Sequence, residues 1–180
     1  MLFLSIYILL EIDVESKYTI TSMNNVSKLI ISLALPFIAS SIGSAFTMPE
    51  ISTWYATLNK PFFNPPNWLF GPVWGSLFLL MGISLYMVWS KEENNLRARS
   101  AYIVFGLQLL LNTFWSIVFF GWHSPLLGFG IIILLWLAVW KTIRSFYRLN
   151  KTAGLIQVPY LLWLSFAAIL NLAIVLLNKA

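Results

Sequence analysis

Apolar residues in this chain fall in long unbroken runs, without the alternating or one-faced patterns of water-soluble elements. Charged residues set the runs apart. Residues 29–49 lie between Lys28 and Glu50, 61–90 between Lys60 and Lys91, 100–140 between Arg99 and Lys141, and 152–178 between Lys151 and Lys179. About 20 apolar residues in a helix cross the hydrocarbon core of a bilayer. The run 100–140 is too long for one crossing, and Gly121-Trp122-His123-Ser124-Pro125 interrupts it with residues suited to a tight connection. The pattern predicts five spans, over about 29–48, 69–90, 101–120, 126–143 and 157–177. Backbone groups in lipid must be satisfied internally and no strand-like alternation is present, so the spans are read as helices. The expected fold is all-α: a polytopic membrane protein with a five-transmembrane-helix bundle over residues 25–180.

Residues 1–24 are read separately, as an N-terminal extension. Leu2–Leu10 is apolar but too short to span, and Glu11, Asp13 and Glu15 follow it. A basic n-region and a small-residue cleavage site, the marks of a signal peptide, are missing. The expectation is that translation starts at Met23; a short interfacial extension is the other reading.

Composition agrees with the pattern. Of 180 residues, 59% are hydrophobic and only 9% charged, against about 25% charged in soluble domains; mean hydropathy is +0.82. These values exclude an ordinary soluble enzyme, a disordered chain and a coiled coil. The absence of Cys removes disulfides, thiolate metal sites and a Cys nucleophile. A pI near 9.6 raises nucleic acid as a partner, but the basic residues sit between apolar runs and read as membrane flanks, so membrane lipid is the expected contact and nucleic acid is not. Given five spans, Lys17, Lys28, Lys91, Arg97, Arg99, Lys141, Arg144, Arg148 and Lys151 fall on one side, and Lys60 and Lys179 on the other. The positive-inside rule then puts the N-terminus in the cytoplasm and the C-terminus outside.

No Asp, Glu, Lys or Arg falls within the predicted core of a span. Ion-coupled transporters, pumps and voltage sensors usually carry such groups, so those classes are disfavoured, while passive movement of a lipophilic molecule is not. Aromatic residues make up 17% of the chain, with nine Trp. Trp54, Trp68, Trp89 and Trp122 lie near span ends, where indole rings favour the headgroup region. Trp74, Trp115 and Trp163 lie deeper, beside small or polar residues. Gln108, Asn112 and Ser116 recur every fourth residue and share one helical face, fit either for interhelical hydrogen bonds or for an internal cavity. The segment from Trp54 to Trp74 is rich in Pro and aromatic residues; it reads as a structured loop that could cover a cavity or simply pack across the bundle, with Pro72 near a helix start. His123 is the only histidine, with a surface turn residue the simpler reading and a haem ligand the alternative. No acid/base dyad or metal cluster is apparent.

Trp54-Tyr55-Ala56-Thr57-Leu58-Asn59-Lys60-Pro61, Pro65-Pro66-Asn67-Trp68 and Gly71-Pro72-Val73-Trp74-Gly75 resemble the TspO/translocator protein family, the tryptophan-rich sensory proteins. The resemblance continues through Gln108, Leu111-Asn112, Trp115-Ser116 and Phe119-Phe120-Gly121. It closes with Pro159-Tyr160, Trp163, Phe166-Ala167 and Leu170-Asn171, covering about residues 29–178 in order. It implies a small five-helix bundle, commonly a homodimer, that binds protoporphyrin IX or haem as ligand and needs no cofactor. In this sequence the implied pocket is Tyr55, Pro65, Trp74, Asn112, Trp115, Ser116, Trp163 and Ala167. Trp74 and Trp163 match the pair linked in the family to light-dependent porphyrin degradation, an implied catalytic role. Passive carriage of porphyrins or other lipophilic molecules, sterols included, is the alternative. Two positions depart from the family. Phe63 stands where the loop usually has Trp, and Leu172 where the sterol-recognition stretch needs Tyr; a loose version of that pattern does occur at Leu80, Tyr86 and Lys91.

Overall fold

A computed structural model describes residues 23–91 and 96–178. Five long helices carry the chain through the expected spans: α1 (Asn25–Thr47), α2 (Asn67–Trp89), α3 (Leu96–Ser116), α4 (Pro125–Leu149) and α5 (Val158–Leu177). All five are long and apolar enough to cross a membrane. A 3-10 turn, Met48–Glu50, prolongs α1, and single-turn helices Trp54–Thr57 and Lys151–Leu155 lie in the connections before α2 and α5. The expectation for residues 1–22 lies outside the described residues.

The helices begin and end where local chemistry directs. Asn24 caps α1, its side chain accepting from the Ser27 N–H at 2.8 Å. Pro125 occupies the first turn of α4, where its missing N–H costs nothing. Pro72 lies inside α2, a full turn beyond the start at Asn67. The end of α4 lies six residues past the predicted limit of 143, because Thr142 and Phe146 continue a buried face among exposed Lys141, Arg144 and Arg148.

Packing inverts the pattern of soluble helices. The inward face of α1 is small or polar, with Ser32, Pro36 and Gly43 buried, whereas Ile30, Leu35, Phe37, Ile38 and Ile42 are exposed. Pro36 has no N–H to offer the Ser32 carbonyl. At that level α2 presents Gly82, where a β-carbon would lie 2.9 Å from the Ser32 oxygen and from Leu33 Cα. α1 packs against α2 and α3, α3 against α4, and α4 against α5. α2 and α5 approach chiefly through aromatic side chains, Trp74 against Tyr160 and Phe70 against Trp163, with ring centroids 6.0 Å apart in each pair.

A chain of buried hydrogen bonds ties one end together. Gln108 Nε2 donates to Gln157 Oε1 (3.3 Å), Gln157 Nε2 to Ser84 Oγ (2.9 Å), and Ser84 Oγ to the Ala153 carbonyl (2.7 Å). Bonds of this kind contribute about 1 kcal/mol each, and a buried partner left unpaired costs more. At the other end the Asn178 side chain pairs with the Asn59 backbone, accepting from its N–H at 3.0 Å and donating to its carbonyl at 2.9 Å. This anchors the α1–α2 loop to the end of α5.

Candidate ligand-binding site

Beneath that loop lies a cavity of about 570 Å³, walled by α1, α2, α3, α5 and the loop, within the size range of small-molecule sites. α2 contributes Trp74 with Phe70, Gly71, Gly75 and Phe78, and α5 contributes Trp163, Ala167, Leu170 and Asn171. Asn112, Trp115 and Ser116 come from α3, and Tyr55 and Ile51 from the loop. No lining residue carries a formal charge.

The local geometry explains these placements. Trp74 stacks on Phe78 at 5.6 Å between centroids, one turn along α2, and meets Tyr160 edge-on. Trp163 lies edge-on to Phe70 and 5.4 Å from Phe166. Its indole nitrogen is buried and has no hydrogen-bond partner among the described residues. The Trp115 indole donates to Asn171 Oδ1 at 3.3 Å, and Asn171 Nδ2 donates to the Pro125 carbonyl at 2.8 Å, so this wall is braced by α4. Asn112 Nδ2 donates to the Tyr160 hydroxyl at 2.9 Å.

Beyond Ser116 the helix widens into a π segment, Ile117–Gly121, closed by Trp122 N–H to Ile117 O at 2.9 Å. Such an insertion rotates the side chains that follow it. Phe119 and Phe120 are thereby both buried and both line the cavity. Phe119 stacks on Trp115 at 5.3 Å, and Gly128 leaves room for its ring, which would lie 3.0 Å from a β-carbon there.

Tyr55 donates to Asn64 Oδ1 at 2.9 Å and carries the Lys60 ammonium over its ring at 4.7 Å. Burial pushes its phenol up to about 12, so it stays a neutral donor at neutral and mildly alkaline pH. Next to it, Trp54 stacks on His123 at 4.5 Å and meets Phe119 and Phe120 edge-on. His123 Nε2 lies 3.0 Å from Glu50 Oε2. His123 is a turn residue outside the cavity wall, with a left-handed φ of 51°.

Of the residues singled out from sequence, Tyr55, Trp74, Asn112, Trp115, Ser116, Trp163 and Ala167 are brought together around the cavity. Pro65 is not in the wall; its carbonyl accepts from Asn64 Nδ2, one step behind Tyr55. The polar face of α3 divides: Gln108 serves the interhelical chain, Ser116 lines the cavity, and Asn112 lines the cavity while bonding separately to Tyr160 of α5. Trp68, read as an interfacial anchor, is 71% exposed and also edges the cavity. Phe63 packs edge-on against Phe166, outside the wall, and Leu172 is exposed. The hydroxyl face of α1, with Ser40, Gly43, Ser44 and Thr47 lining the cavity, was not anticipated. Its signal is the spacing of small residues at i, i+3, i+4 and i+7. Among the described residues no group of three His, Asp or Glu could hold a metal ion.

Comparison with known proteins agrees with this architecture. Residues 32–177 match the profile of the TspO/MBR family. The chain is 47% identical over 140 residues to the "Tryptophan-rich protein TspO" of Chlorobaculum tepidum, covering 76% of this chain and 86% of that one. It is 46% identical over 155 residues to the protein of the same name from Archaeoglobus fulgidus, covering 86% and 99%. It is also 38% identical over 141 residues to the human "Translocator protein", covering 76% and 81%.

Proposed function

The chain is a multi-pass membrane protein belonging to the TspO/MBR family, and on that premise we propose that it is a membrane receptor for tetrapyrroles, with protoporphyrin IX or haem held in the cavity beneath the α1–α2 loop. The observation that carries this reading is the cavity itself: about 570 Å³, uncharged, with four indoles in its wall. A porphyrin is a flat apolar disc, and indole and phenyl faces supply stacking area for it. Trp74 and Trp163 would meet the disc from α2 and α5, and Trp115 and Phe119 from α3 and its π extension. Asn112 and Ser116 offer a few oriented polar contacts. The unpartnered Trp163 N–H is a donor that a ligand acceptor would satisfy. The wall has no cation for the propionates, so these would project through the mouth to the headgroup region, where water solvates them.

The test is a dark titration of the purified protein with protoporphyrin IX, following quenching of tryptophan emission. Saturable quenching with a dissociation constant at or below about 1 μM, or −8 kcal/mol, is expected. Non-saturable quenching, equal to that of free indole in the same detergent, would mean that the porphyrin merely dissolves in the micelle, and would remove the proposal.

We also assign the bundle end bearing the loop, His123 and Asn178 to the outside. The support is charge: Lys91, Arg97, Arg99, Lys141, Arg144 and Arg148 occupy the opposite end, against Lys60 here. A phosphatase fused after residue 180 should be active only when exported, whereas a C-terminal fluorescent reporter that folds only in the cytoplasm should stay dark. The reverse pattern overturns the assignment.

A further inference from the structure

The last turns of α4 carry an arrangement that the cavity does not use. Their inward side is apolar and fixed, with Phe146 stacked on Phe105 of α3 at 5.6 Å and Thr142 fully buried. On the outward side lie Leu137, Trp140, Lys141, Arg144 and Arg148, each three or four residues from another of the set. At 3.6 residues per turn these positions fall within about a third of the helix circumference. All five side chains are exposed. Along this strip the chemistry changes in order: aliphatic at Leu137, indole at Trp140, then three cations. With a rise of 1.5 Å per residue, Trp140 to Arg148 covers about 12 Å, enough to cross the headgroup layer of one leaflet. The Arg144 guanidinium is not loose. It lies over the Trp140 ring, 5.0 Å from the centroid. Among the described residues the only carboxylate side chain is Glu50, which sits at the opposite end of the bundle beside His123.

We propose that this strip is a binding site for the headgroup of an anionic phospholipid. The acyl chains lie along Leu137 and the apolar face below it, Trp140 marks the boundary with water, and the stacked Arg144 receives the phosphate. A planar guanidinium offers paired N–H donors to phosphate oxygens, and stacking on an indole holds that plane in place before the lipid arrives. Lys141 and Arg148, about one turn to either side, complement the headgroup's net negative charge. A zwitterionic headgroup would bring its own ammonium against these cations. A soluble phosphate would gain nothing from the apolar half of the strip, so the geometry favours a lipid over a free anion.

Native mass spectrometry tests this on the full-length protein in detergent with equimolar phosphatidylglycerol and phosphatidylcholine. The wild type should retain phosphatidylglycerol on the order of a hundredfold more than phosphatidylcholine, since each of the three cations near the headgroup contributes about fivefold. Arg144→Ala should reduce that preference about fivefold with an unchanged circular dichroism spectrum. Arg144→Lys keeps the charge but loses the planar stack, and should restore the preference only in part. Equal retention of the two lipids by the wild type, or a wild-type preference in Arg144→Ala, overturns the site. Full recovery in Arg144→Lys also overturns it, in favour of diffuse charge. Displacement of the lipid by millimolar glycerol 3-phosphate overturns the assignment to a lipid.

Discussion

Replacing Trp163 by alanine is expected to weaken protoporphyrin IX binding by about thirtyfold, and Trp74→Ala to have a similar effect. The two indoles occupy the seam where α2 and α5 meet through side chains, Trp163 against Phe70 and Trp74 against Tyr160. Truncating either removes stacking area from the ligand and one half of an aromatic pair between the helices. Anchor residues of this kind in binding sites cost 2 kcal/mol or more when truncated, which is about thirtyfold in affinity. Trp163→Phe separates the contributions. It keeps a ring but deletes the buried N–H that has no partner among the described residues. If that N–H donates to the ligand, Phe should cost a further factor of about five relative to stacking alone, the value of roughly 1 kcal/mol for a net hydrogen bond. The readout is the dark quenching titration, repeated by porphyrin absorbance because the variants lose emitters. Binding within twofold of wild type in both alanine variants would remove this cavity from the function.

The second large effect concerns stability. Gly154→Ala should unfold the α4–α5 junction before the rest of the bundle and lower the thermal midpoint in detergent by about 5 °C or more. A β-carbon at Gly154 would lie 2.7 Å from the N, Cα and Cβ atoms of Tyr147, all backbone or rigidly attached to it, so no side-chain rotation relieves the clash. The short helix Lys151–Leu155 must move instead. The Ala153 carbonyl moves with it, and that carbonyl accepts the last hydrogen bond in the chain from Gln108 through Gln157 and Ser84. Overpacking costs about 1–3 kcal/mol and the broken bond about 1 kcal/mol more; each kcal/mol is worth about 2–4 °C in a chain of this size. Gly106→Ala is the control. Nothing lies within 4 Å of its β-carbon position, so it should be neutral or slightly stabilising, as alanine favours helix over glycine. Equal midpoints for the two variants would contradict the close packing at Gly154.

What the sequence disclosed and what it concealed follow from the range of the interactions. The spans are legible because an apolar run of this length has few other fates, and the Gly121–Pro125 break marks the start of α4 through purely local chemistry, whereas the Asn24 cap lies outside the expected span and was not anticipated. The extension of α4 to Leu149 was hidden by its charges, which end a hydropathy run although only one side of the helix carries them. Most of the cavity wall was legible only through the resemblance of ordered motifs across the chain. Composition could announce aromatic residues, but not that Trp74 and Trp163, 89 positions apart in sequence, share a wall. The division of the α3 polar face was beyond sequence, since it depends on Gln157 and Tyr160 lying opposite Gln108 and Asn112. The small residues of α1 were visible in number and spacing, yet a run of Ser and Gly in a span serves helix packing as readily as a cavity.

The π segment at Ile117–Gly121 has a consequence for how pockets of this shape diverge. A π turn is an α-helix that has absorbed one extra residue. Elsewhere in a span, losing a residue shifts the whole following helix by about 100° and misplaces every contact beyond it. Here the surplus residue is already taken up before the turn at His123, so a single deletion can collapse the segment to regular helix and leave α4 in register. Only Phe119 and Phe120 would swing, and with them the outer wall of the cavity. A one-codon deletion is thus a short mutational route to a different cavity shape on an otherwise unaltered bundle.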